Sequence, residues 1–152
     1  VDWLITVPLQ IVEFYLILLA VTAVSSGLFW RLLGASLVML VFGFLGEAGL
    51  MNSTIAFIPG MAGWLYILYE IFSGEAASLS ASSKNPGGQF AFNTLRIIVT
   101  AGWAIYPIGY FLGYLAGGTD MDTVNIIYNV ADLVNKTAFG LAIWAGAKMD
   151  SK

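Results

Sequence analysis

The 152-residue chain contains no cysteine and no histidine. The first absence excludes disulfides and thiolate chemistry. The second removes the commonest metal ligand and the commonest proton shuttle, so a proton relay would have to run through Asp, Glu, Lys, Tyr or water. Charge is scarce too: 10% of the residues are charged, against roughly 25% in soluble domains. The six cations form no run and the net charge of −3 is thinly spread, which offers nothing to nucleic acid. The sequence opens Val1-Asp2-Trp3, without methionine or a signal-peptide pattern. An acidic residue at the edge of an apolar helix reads as a cut inside an element, so the chain is expected to be part of a longer protein.

Hydrophobic residues make up 59% of the sequence, and the mean hydropathy is +0.86. A soluble domain of this size lacks the polar surface to cover so much apolar material, so the expected solvent is a lipid bilayer. Five stretches approach or reach the roughly 20 residues that a spanning helix needs. They run from about Trp3 to Thr22, Leu32 to Met51, Ile55 to Phe72, Phe92 to Ala116 and Thr123 to Ala147. Pro8 and Pro107 fall inside the first and fourth and should kink rather than end them. The stretch from Gly74 to Gln89 is polar and is expected to be a flexible loop. The fold class is therefore an all-α membrane protein, a single transmembrane helical bundle over residues 1–152.

Threading these spans puts Arg31, Lys84, Arg96, Lys148 and Lys152 at or near one side, and Glu47, Asp120 and Asp122 at or near the other. Short cation-rich connections stay in the cytoplasm, so the C-terminus is expected there and Asp2 toward the outside. The cation that breaks this pattern is Lys136. On the fourth span Gly109, Gly113 and Gly117 form overlapping GxxxG units, which permit close contact with another helix or a second copy of the chain.

Lys136 lies in mid-span, where an ammonium costs about 2.5–3.5 kcal/mol on insertion scales. Asp132 is one helical turn earlier on the same face. A buried lysine is also the side chain that can shed its proton and join an aldehyde as a Schiff base. An intrahelical ion pair without chemistry is the plainer reading of the same two residues. On the first span, Asp2, Thr6, Gln10 and Glu13 stand at i, i+4, i+8 and i+11 in an otherwise apolar helix. Asp2 and Glu13 return to nearly one face about 16 Å apart along the axis. Intramembrane carboxylates are expensive and tend to mark proton paths, although a partner-facing polar stripe would look alike. The carboxyl set deeper among apolar residues, Glu13, is suited to hold a proton, and one beside an amine, Asp2, to stay charged. Glu70, near a span end, is assigned a structural or subunit-contact role.

Together these residues resemble the microbial (type I) rhodopsins, and among them the blue-absorbing proteorhodopsins of marine bacteria. Asp132-Leu-Val-Asn-Lys136 is similar to the family's last helix, whose lysine carries retinal as a protonated Schiff base and whose aspartate is part of its counterion. The segment from Asp2 to Glu13 resembles the third helix. The resemblance implies that Asp2 is the proton acceptor and Glu13 the proton donor, with Asp2, Thr6 and Glu13 the pattern of outward proton pumps. Trp103, Tyr106 and Pro107 resemble the sixth helix that lines retinal, and Trp3, Met39 and Gly43 fit further pocket positions. Gln10 occupies the position at which blue-absorbing forms carry Gln and green-absorbing forms Leu. The resemblance covers the chain as helices three to seven of seven, with the first two helices and the residue pairing with the acceptor not represented.

These likenesses imply a light-driven outward proton pump, not an enzyme, with all-trans retinal as cofactor and the proton as cargo. It would sit as a multi-pass protein in the bacterial inner membrane. A photosensory rhodopsin signalling to a membrane partner shares the lysine and counterion but needs no proton donor. A secondary-transporter fragment with an ion site at Lys136 and Asp132 would lack retinal-dependent colour.

Overall fold

The computed structural model describes residues 2–152, and Val1 lies outside the described residues. The helices α1 (Asp2–Val21), α2 (Ser26–Glu47), α3 (Ser53–Phe72), α4 (Glu75–Ser82), α5 (Pro86–Ile97), α6 (Ile105–Tyr110) and α7 (Met121–Asp150) follow in order. The π-helical turns Ile98–Gly102 and Phe111–Leu115 flank α6, so α5, α6 and these turns make one interrupted rod. The five expected spans correspond to α1, α2, α3, this rod and α7. Four stretches (Asp2–Val21, Ser26–Glu47, Ser53–Ser82 and Pro86–Leu115) are long and apolar enough to cross a membrane. The 30-residue α7 is the longest helix, but Asp122, Asp132, Lys136, Lys148 and Asp150 dilute its hydropathy.

Small polar residues set the helix starts. The side chains of Ser25, Asn52, Asn85 and Asp120 accept from free backbone N–H groups of the first turns of α2, α3, α5 and α7. The expected flexible loop from Gly74 to Gln89 is corrected by the structure. Glu75–Ser82 is helical, and Pro86 begins α5 well ahead of Phe92. Glu75 favours the first turn of α4 through the helix dipole, and Pro86 sits at the start of α5, where its missing N–H costs nothing. The polarity that argued against a span does not argue against a surface helix.

In the bundle, α2 runs along α3, α5 runs along α7, and α1 packs against α2 and α5. Phe14, Leu18, Leu32, Ile67, Phe92 and Leu95 form the centre of the core. Ile5, Ile58, Leu133, Leu141 and Trp144 point outward and are exposed, the apolar surface expected of helices solvated by lipid. Among the described residues no buried side-chain nitrogen or oxygen lacks a hydrogen-bond partner.

Gly63 brings α3 against the backbone of α2: a Cβ there would stand 2.6 Å from the Ala35 carbonyl oxygen and 3.1 Å from the Met39 nitrogen. Backbone cannot yield as a flexible side chain does. Gly63→Ala is therefore expected to destabilise the bundle by about 1–3 kcal/mol. Gly34→Ala, where nothing lies within 4 Å, should leave the thermal-unfolding midpoint in detergent unchanged.

The structure accounts for the GxxxG glycines within the chain. Gly109 lies against the Tyr128 ring, and Gly113 faces Val124 and Met121 of α7. Gly117 has φ +62°, the left-handed turn conformation that glycine adopts without strain. Glu70 has a structural setting as well. Only 4% exposed, it accepts from Arg31 Nε at 2.9 Å, from Tyr66 Oη at 3.0 Å and from the Glu75 backbone N–H at 3.1 Å. Arg31 also pairs with Glu75, which accepts from Ser25 Oγ at 2.7 Å. These contacts clasp α2, α3 and α4 at the end of the bundle where α7 also finishes.

Candidate functional site

Lys136 projects from the middle of α7 toward the N-terminal turn of α1. Its Nζ lies 2.5 Å from Asp2 Oδ2 and 3.7 Å from Asp132 Oδ2. One ammonium thus stands between two carboxylates from different helices. Asp132 arrives there by the i, i+4 spacing, whereas Asp2 does so through the packing of α1.

The two carboxylates are not equivalent. Asp132 has a side chain only 17% exposed. Its Oδ2 accepts from Trp3 Nε1 at 2.7 Å, and its Oδ1 accepts from Tyr106 Oη at 2.5 Å. Two neutral donors and one cation therefore satisfy its oxygens. Asp2 has a side chain 63% exposed, and Lys136 is the partner the structure gives its carboxylate. Among the described residues Asp132 thus has three polar partners and Asp2 has Lys136.

A cleft extends from Lys136 between α1, α2, α3, the interrupted rod and α7. Trp3, Gln10, Met39, Gly43, Trp103, Tyr106, Pro107 and Asp132 are among the residues that line it. Trp3 meets the edges of both Tyr106 and Tyr128, with ring centroids 4.8 Å and 5.1 Å away. Gln10 is buried and turned toward the cleft. Apart from Gln10, Glu47, Asp132, Asn135 and the one primary amine, Lys136, the walls are apolar and aromatic. That chemistry suits a long unsaturated aldehyde: flat rings to hold the chain and an amine to take the carbonyl carbon.

Two residues of the polar stripe are not brought to Lys136. Thr6 Oγ1 donates to the Asp2 backbone carbonyl at 3.2 Å and takes no part in the cleft lining. Glu13 is exposed on α1 and does not line the cleft. Four-residue steps advance about 40° per step, so Gln10 is rotated about 80° from Asp2 and turns inward, while Glu13 returns to the Asp2 face. The stripe is therefore two faces, corrected by the helical drift that its spacing hid.

Sequence reasoning missed Trp64, Tyr128 and Asn135. Trp64 lines the cleft and donates through Nε1 to the Val99 carbonyl at 3.0 Å. Tyr128 lies four residues before Asp132 on the same face and donates to the Tyr106 carbonyl at 2.9 Å. Asn135 adjoins Lys136 and donates to the Gly102 carbonyl at 3.0 Å. Of these only Tyr128 carried a signal in the sequence, an aromatic residue two four-residue steps before Lys136 on its own helix. Glu47 also lines the cleft, at the far end of α2.

A family described as bacteriorhodopsin-like protein matches residues 1–149 of the chain. The chain is 54% identical over 153 positions to the blue-light absorbing proteorhodopsin of Gamma-proteobacterium Hot 75m4, with 99% of this chain and 61% of that protein covered. It is 53% identical over 152 positions to the green-light absorbing proteorhodopsin of Gamma-proteobacterium EBAC31A08, again covering 99% and 61%. Among solved structures, a blue light-absorbing proteorhodopsin from Med12 superposes with a TM-score of 0.81 at 57% identity, covering 98% of this chain and 65% of that one. The chain thus spans about three fifths of the length of these relatives.

Proposed function

The chain belongs to the bacteriorhodopsin-like family, and on that premise we propose that it is the retinal-carrying part of a light-driven outward proton pump. The observation that carries this reading is Lys136 held between carboxylates of two different helices, Asp132 and Asp2, beside an aromatic-lined cleft. All-trans retinal, if bound at Lys136 Nζ, would supply light absorption and photoisomerisation. Trp3, Trp103, Tyr106, Pro107, Met39 and Gly43 would hold its polyene.

The proton steps belong to the carboxylates. Asp132, which accepts from Trp3 and Tyr106, balances the cation at Lys136. Asp2, 2.5 Å from Lys136 Nζ, takes its proton. Glu13, displaced along α1 toward the cytoplasmic side, returns a proton to the same nitrogen. The 2.5 Å contact and the different depths of the two α1 carboxylates make the path directional. Thr6 fits the outward-pump pattern of this helix. The protein would sit in the bacterial inner membrane as a multi-pass protein, with its C-terminus in the cytoplasm.

The test is light-driven acidification. The chain joined to the first two helices of the Gamma-proteobacterium Hot 75m4 protein, loaded with all-trans retinal in cells, should acidify the medium on illumination, and a protonophore should abolish the signal. A coloured protein that never acidifies the medium would favour a photosensor. An uncoloured one, folded, would overturn the retinal reading.

Gln10 supports absorption in the blue. Its amide is buried against the cleft, where a dipole changes how well the ground and excited charge distributions of a polyene are stabilised. Gln10→Leu is expected to move the visible band to longer wavelength while leaving retinal attachment intact, read from the spectrum alone.

A further inference from the structure

Pro107 has a consequence one turn away. It lacks an N–H, and the Tyr106 N–H is engaged by the Trp103 carbonyl at 3.1 Å. The Trp103 N–H, in turn, closes the π turn on Ile98 at 3.0 Å. The Gly102 carbonyl is therefore left to a side chain, because a buried carbonyl without a partner is costly. Asn135 takes it, donating from Nδ2 at 3.0 Å. A carbonyl only accepts, so this contact fixes which end of the amide faces the rod. Asn135 is 6% exposed. Gly102 is what admits it, since a Cβ at that position would collide with Asn135 Oδ1.

The same Nδ2 reaches Tyr106 Oη at 3.4 Å. The Tyr106 oxygen thus accepts from Asn135 while its O–H donates to Asp132 Oδ1. A hydroxyl that accepts a hydrogen bond becomes a stronger donor, and a chain of such bonds points one way. An amide that can only donate to this oxygen also prevents Tyr106 from turning its O–H away from Asp132.

We infer that Asn135 is a positioning residue: it aims the Tyr106 hydroxyl at Asp132 and so fixes the hydrogen bonds around the carboxylate that faces Lys136. This rests on the proposed pump reading for its consequence, but the Asn135–Tyr106–Asp132 relay is a property of the chain's own side chains. Loss of the relay would weaken the distinction between the two carboxylates around Lys136.

The test is a cycle of Asn135→Ala, Tyr106→Phe and the double variant, in the chain joined to the two preceding helices of its 54%-identical relative. Without retinal, the infrared C–O stretch of ring-labelled tyrosine is compared between the parent and Asn135→Ala, with Tyr106→Phe identifying the band. With retinal, the visible band and the rate of proton transfer to Asp2 are read. The expected result is a displaced Tyr106 stretch, a shifted visible band and proton transfer slowed about tenfold or less in Asn135→Ala, in line with the loss of one hydrogen bond. In the Tyr106→Phe background, Asn135→Ala should add nothing to the spectral shift. Asn135→Ser, which keeps a donor, should restore part of the tyrosine stretch.

An unmoved tyrosine stretch in Asn135→Ala would overturn the inference, as would a spectral effect that persists undiminished on Tyr106→Phe. Should Asn135→Ala fail to fold, the comparison of Asn135→Ser with the parent decides, since a purely structural role in satisfying Gly102 leaves the Tyr106 stretch in place. A parent that takes up no retinal would overturn the pump reading, while the retinal-free infrared comparison would still decide whether Asn135 aims Tyr106.

Discussion

Replacing Lys136 by alanine is expected to abolish the retinal-dependent visible band completely. Attachment requires a primary amine at the end of the cleft, and Lys136 is the lysine or arginine that lines it. The other cations, Arg31, Lys84, Arg96, Lys148 and Lys152, lie outside that lining, so none is positioned to substitute. The variant should still fold. Removing the amine relieves the desolvation of a mid-span cation, and Asp132 keeps its bonds from Trp3 and Tyr106. The same variant should still admit retinal without bonding it, because the aromatic walls remain. The check is paired: absorbance of the purified protein after adding all-trans retinal, and quenching of Trp3, Trp64 and Trp103 fluorescence by the same addition. No band with retained quenching separates the bond from the cavity. A band that survives in Lys136→Ala would overturn the attachment site.

How far the sequence reveals this site depends on sequence distance. Asp132 and Lys136 share a helix, so their proximity follows from the 3.6-residue repeat alone, and the 3.7 Å contact agrees. Asp2 and Lys136 are 134 positions apart, and no local rule brings them together. Only the family resemblance paired them in advance. Four of the five spans were legible because a long apolar helix writes its length directly into composition, whereas the charges of α7 dilute that signal. The polar connection from Gly74 to Gln89 was misread because hydropathy reports solvent and not secondary structure, and α4 is a polar helix held by Arg31, Glu70 and Glu75. GxxxG spacing likewise marks a close approach without naming the partner, which for Gly109 and Gly113 proves to be α7. Asn135 escaped notice because its task is created by Pro107, on another helix.

Asp2→Asn and Glu13→Gln should separate the two halves of the proton path. Asparagine keeps the size of Asp2 and its reach to Lys136, but takes no proton, so retinal should still bind while outward pumping is lost. A positioned acid or base contributes about 10²–10⁴-fold to a proton transfer, and transport would fall below detection. Glu13→Gln leaves that first transfer intact and removes the internal donor. Reprotonation at Lys136 should then slow by about 10²-fold, with the proton drawn from solvent. A rate limited by bulk protons is proportional to their concentration, so it should drop about tenfold for each unit of rising pH, where the parent stays nearly flat. Flash photolysis of both variants across pH 6 to 9 reads the two effects separately. Normal pumping in Asp2→Asn would remove Asp2 as acceptor, and a pH-independent, parent-like decay in Glu13→Gln would move the donor elsewhere.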